Sequence, residues 1–133
     1  MFLSGEKMNQ LLILYANQKP FLIPTSVQSD LDKKIKTSDF LVSDDKGTHR
    51  LVGLKYVPGK MCAPAITFVC MRHEMALAKQ LAFNAGKKIF YNSEVSAMLF
   101  KYQKGEVLHE KDFYPVVMMY AQIIKSRRKV YHL

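Results

Sequence analysis

A chain of 133 residues, 49% hydrophobic and 23% charged, is long enough to bury one core and too apolar to stay disordered throughout. Its formal charge of +9, from 20 basic against 11 acidic residues, admits nucleic acid, an anionic membrane or an acidic protein as partner and selects none of them. With only Cys62 and Cys70, no structural zinc site forms without histidine help, so two reduced thiols and no metal or cofactor are expected. The apolar run at residues 11–16 falls short of the ~18–20 residues needed to cross a bilayer. Glu6 sits too early for a signal peptide, and the chain reads as soluble and cytosolic.

In chain order, residues 8–16 read as a short helix or residues 11–15 as a strand. Residues 21–23 read as extended between Pro20 and Pro24. Val27, Leu31 and Ile35 give residues 26–38 a thin helical stripe. Residues 39–43 form a strand and 44–47 a turn, where Gly47 can take a positive φ. Residues 51–57 make a second strand, apolar on both faces and therefore central. After the turn at Pro58-Gly59, residues 65–69 make a third strand, also apolar on both sides.

Met71, Met75, Ala78, Leu81, Ala82 and Ala85 then fall at helical spacing over residues 72–85, and Gly86 supplies the stop. Residues 89–91 form a short fourth strand. Asn92 or Ser93 caps a helix through Val95, Met98 and Leu99 to about Tyr102, and Gly105 breaks it. Asp112 caps a last helix that tolerates Pro115 in its first turn, with Val116, Val117, Tyr120, Ile123 and Ile124 as its buried side. Residues 125–129 add four basic groups where the helix dipole favours them. Strands alternating with helices give an α/β fold, a small mixed four-stranded sheet packed with three to four helices.

Catalytic motifs are missing. There is no GxGxxG, P-loop or GxSxG, and His73-Glu74 lacks the second histidine of HExxH. Thr48-His49 at a turn-to-strand junction reads first as packing and hydrogen bonding, because a histidine without a positioned partner proves little.

The stretch from Lys46 through Thr48-His49 and Lys55-Tyr56 to Ala63-Pro64 nonetheless resembles the soluble domain of the type III secretion export-switch family, of flagellar FlhB and injectisome YscU type. The 14-residue step from His49 to Ala63, and the later run from Phe100 through Gly105 to Tyr114, fit that family's spacing, and the resemblance covers residues 38–124. It implies residues 1–37 as an N-terminal extension or lead-in helix and 38–133 as the export-switch-like domain. Full-length members carry four membrane helices ahead of this domain, so the chain reads either as a stand-alone copy of the soluble half or as a piece of a longer protein.

Family members carry Asn-Pro-Thr-His and cut themselves between Asn and Pro, the Asn side-chain amide attacking its own carbonyl. Here Lys46 and Gly47 stand in place of Asn-Pro, so Lys46, Gly47, Thr48 and His49 form a degenerate loop and no self-cleavage is expected. The family's apolar patch for short motifs of export substrates corresponds by position to Ala63, Pro64, Met118 and Ala121. Implied partners are export-apparatus membrane proteins and export substrates, at a site peripheral to the inner-membrane export apparatus, with self-association open. The rival reading is a nucleic-acid-binding domain, carried by the charge and by Ser126-Arg127-Arg128-Lys129. Tyr102, Tyr114, Tyr120 and Tyr131 do not interleave with the basic residues as such a groove requires.

Overall fold

A computed structural model describes residues 25–131, with side-chain detail for residues 27–126. The expectations for residues 8–16 and 21–23 lie outside that range. Helix α1 (Thr25–Thr37) buries Leu31 and Ile35, while Val27 stays 39% exposed at its start. Ser38 ends it by donating its hydroxyl to the Lys34 carbonyl at 2.7 Å. Strand β1 (Phe40–Ser43) follows, then β2 (Arg50–Lys55) and β3 (Ala65–Met71). A 3-10 turn at Arg72–Glu74 opens α2 (Met75–Asn84), and β4 is Ile89–Tyr91. Helix α3 spans Ser93–Leu99; after a second 3-10 turn at Glu110–Asp112, α4 runs over Phe113–Tyr131.

The strands lie in the order β3-β2-β1-β4, with β1–β2 and β2–β3 antiparallel and β1–β4 parallel. The sheet is mixed and four-stranded with helices on both faces, as the alternation of elements requires. On one face Phe40, Val42, Val52 and Leu54 pack with Val95, Leu99, Val116 and Met119 from α3 and α4. On the other, Leu41, Leu51, Phe68 and Cys70 pack with Leu31 and Ile35 of α1 and Met75, Ala78 and Ala82 of α2. Strand β2 is central and buried along its middle, as its two-sided apolar content dictates.

A bulge explains why β3 serves both faces. Gly53 pairs with Phe68 but Leu54 pairs with Ile66, so Thr67 is the extra residue and side-chain parity flips across it. Ile66 therefore joins the α3–α4 core while Phe68 and Cys70 join the α1–α2 core. Gly53 faces the bulge. A β-carbon there would stand 2.5–2.7 Å from the Phe68 ring edge and press on the Thr67 hydroxyl. The Thr67 hydroxyl itself lies 2.6 Å from Ser38 Oγ, tying the end of α1 to the bulge.

Four expectations need correction. Met71 closes β3 and is 53% exposed, so it is not part of the α2 stripe. Helix α3 ends at Leu99, short of Tyr102, whose hydroxyl instead meets Asp112 at 2.5 Å and accepts the His109 N–H at 2.9 Å. Asp112 thus spends its carboxylate on Tyr102, inside a 3-10 turn rather than as the cap of α4. Among the described side chains of α4, Val116 and Met119 are buried and Tyr120 and Ile123 partly covered, whereas Val117 and Ile124 are about half exposed. Helix α4 carries apolar residues on most sides, so periodicity alone could not choose the buried one.

Candidate functional site

Two features flank the β1–β2–β3 meander: a turn carrying residues 44–49, and an apolar groove beside the β2–β3 connection. The turn is built on Asp44. Its peptide carbonyl accepts the Gly47 N–H at 2.9 Å, and Gly47 takes a φ of +69°. The Asp44 carboxylate, nearly buried, accepts backbone N–H groups from His49 (2.9 Å), Arg50 (3.0 Å) and Thr48 (3.3 Å). Burial alone would raise its pKa, but the amides of Arg50, His49 and Thr48 outweigh it and hold the carboxyl well below the usual range.

The turn is also stitched to the start of α3. Asp45 N–H donates to Ser93 Oγ at 2.8 Å, and Ser93 N–H donates to Asp45 Oδ1 at 2.9 Å. Arg50 donates to Ser96 Oγ at 3.0 Å and to the Ser93 carbonyl at 3.3 Å. Asn92 caps α3 by accepting the Val95 N–H at 2.9 Å, deciding between the two candidates for that cap. From the other side Lys79 donates to the Gly47 carbonyl at 3.1 Å.

Thr48 Oγ1 lies 2.9 Å from His49 Nδ1, and Asp44 Oδ2 lies 3.5 Å from the same nitrogen. A relay needs its two partners on opposite ring nitrogens, so this arrangement positions the histidine without forming a triad. Lys46 is exposed at the tip and carries no side-chain amide.

The groove encloses about 560 Å³ between the β2–β3 connection and α4. Tyr56, Pro58, Cys62, Ala63 and Pro64 form one wall; Phe113, Val117, Tyr120 and Ile124 form the other. Asp39 is its one acidic group, and its Oδ2 accepts the Tyr120 hydroxyl and the Tyr56 N–H, each at 2.7 Å. Burial, then the hydrogen bond and charge of Asp39, push the Tyr120 phenol well above its ordinary pKa. The ring of Phe40 meets Tyr120 edge-on at 4.8 Å, so the groove's floor is continuous with the core.

Of the four patch residues expected from sequence, Ala63 and Pro64 are buried and line the groove. Met118 and Ala121 are exposed on α4 but do not line it; Val117 and Ile124, one flank over, take those places. Assigning Val117 and Ile124 to the core concealed them. Tyr56 belongs to the Lys-Tyr stretch that carried the resemblance but was not placed in the patch, and Asp39 carries no motif that would have marked it.

No protein-family model and no curated protein matches the chain in sequence. Solved structures do match. The crystal structure of a mutated EscU C-terminal domain superposes with a TM-score of 0.62 at 25% identity, covering 66% of this chain and 93% of that one. A second crystal form gives 0.66 at 24% identity, covering 73% and 89%. The cytoplasmic domain of FlhB from Shewanella putrefaciens gives 0.69 at 16% identity, covering 79% and 80%. No helix of the described residues is long and apolar enough to cross a membrane. The chain has the fold of the C-terminal domain of EscU and the cytoplasmic domain of FlhB, which are its structural neighbours.

Proposed function

We propose that this domain works at a type III protein export apparatus, peripheral to the membrane, where its groove receives apolar segments of export substrates or apparatus proteins without cutting its own chain. The observation that carries the reading is the groove at Ala63-Pro64 on a fold shared with the EscU and FlhB domains. An open apolar surface of that kind is costly to leave without a partner. Two facts support the absence of cleavage. Lys46 offers no amide to attack its own carbonyl, and Gly47 holds a φ of +69° that proline cannot adopt.

The test is recovery of bound proteins from the native cell at moderate salt, with and without nuclease, using the wild-type chain beside Val117→Asp and Ile124→Asp. Both substitutions sit on exposed groove residues and should spare the fold. Export-gate proteins or export substrates recovered by the wild type and lost from both variants are expected. The basic run at residues 125–129 supports a nucleic-acid reading instead. Recovery of ribosomal or nucleoid proteins alone, vanishing with nuclease, would establish that rival and end the export reading. The intact mass of purified protein should stay single on prolonged incubation; two fragments divided at residues 46 and 47 would refute the non-cleaving half.

A further inference from the structure

The outer side of α4 is apolar where a surface helix is ordinarily polar. Opposite the buried Val116 and Met119, the residues Tyr114 (73% exposed), Val117, Met118, Ala121 and Ile124 share one side over three turns. At 100° per residue they span an arc of roughly 120° centred almost opposite the core. Half of the large exposed apolar side chains among the described residues stand on this one helix.

Charge along the helix is graded. Glu110 and Asp112, with Lys111 between them, lie just before its start, whereas Lys125, Arg127, Arg128 and Lys129 lie in its last turns. An apolar stripe with acid at one end and base at the other is complementary to itself when reversed.

We infer that the occupant of this face is a second copy of the chain, its α4 laid antiparallel and crossing at Ala121. In that register position 114 of one copy meets position 128 of the other, so the exposed Tyr114 lies at the basic end of the partner helix. The exposed Glu110 comes to the basic end of the partner helix. Alanine at the crossing lets the helix axes approach to about 8 Å. A parallel pair would instead set the two basic ends side by side. An anionic membrane fits less well, because the acidic groups at the start of the same helix oppose it. Val117 and Ile124 belong both to this stripe and to the groove wall, so the paired chain and a groove-bound peptide compete.

The experiment uses the full chain. Light scattering over about a hundredfold range of concentration should show a dimer that dissociates on dilution and weakens with added salt. Ala121→Glu should weaken the association about tenfold or more while leaving the circular dichroism and Tm of the dilute monomer unchanged. In a Cys62→Ser background, Ala121→Cys should oxidise to a covalent dimer, because the crossing brings two β-carbons within disulfide reach. A monomer at every concentration, a covalent dimer from Tyr114→Cys but not from Ala121→Cys, or a monomer that binds anionic phosphatidylserine vesicles would each overturn the inference. None of these readouts depends on export proteins, so the groove reading and this one fail separately.

Discussion

Asp44 is an anion buried for the sake of three peptide N–H groups, and its loss is the clearest single-residue test of the turn. Asparagine in its place keeps one acceptor but turns an amide donor toward backbone donors. Asp44→Asn should therefore cost about 2–3 kcal/mol in urea denaturation at neutral pH. The sign of its pH dependence follows from linkage. The folded carboxyl titrates below the ordinary ~3.9 of an unfolded chain. The stabilisation it provides is thus present above about pH 4 and is lost as pH falls toward the folded value. The gap between wild type and Asp44→Asn should narrow on acidification, which denaturation at successively lower pH would show. The tip of the same turn resists repair: Lys46→Asn with Gly47→Pro should not restore cutting, because proline cannot take the positive φ at position 47. Any β-carbon there would also stand 2.9 Å from Lys79 Nζ and from the Tyr91 ring. Mass spectrometry should find one intact chain and thermal denaturation a reduced Tm; fragments would show that the turn can refold around the new pair.

At the scale of elements, the sequence disclosed most where a local rule and the tertiary demand coincide. The turns at Gly47 and Gly59 take φ of +69° and +83°, and β2 with apolar residues on both faces could only be central. The sequence offered Asn92 or Ser93 as the cap of α3, and the fold uses Asn92. The rest depends on partners distant in the chain. Asp112 looked like a cap until Tyr102, ten residues earlier, took its carboxylate. Helix α4 offered several apolar faces, and only docking against the sheet picked Val116 and Met119. That choice moved the groove wall to Val117 and Ile124, which is why half of the expected patch lies beside the groove and not in it. Gly53 was silent in sequence because its demand is space, not conformation. Gly53→Ala must displace the Phe68 ring or undo the bulge, and should destabilise by about 1–3 kcal/mol in chemical denaturation. A neutral result would mean that the ring yields freely.

For the molecule as a whole, the two cysteines report on opposite sides of the fold. Cys62 is exposed at the groove rim; Cys70 is buried against α2, and burial, then the nearby Glu74, pushes its thiol up to about 12. A thiol reagent at neutral pH should label the native chain once, at Cys62, and a second time only on unfolding. Two native labels of similar rate would contradict the α1–α2 core.

Strand β1 lies inside the sheet, paired to β2 on one edge and β4 on the other, with Phe40, Leu41 and Val42 fully buried. The covalent link across residues 46–47 is therefore one of several ties holding it. Severing that link would open the sequence without opening the sheet, so the position suits new termini in a permuted chain. Fragments 1–46 and 47–133, produced together, should complement each other and elute as a single folded species.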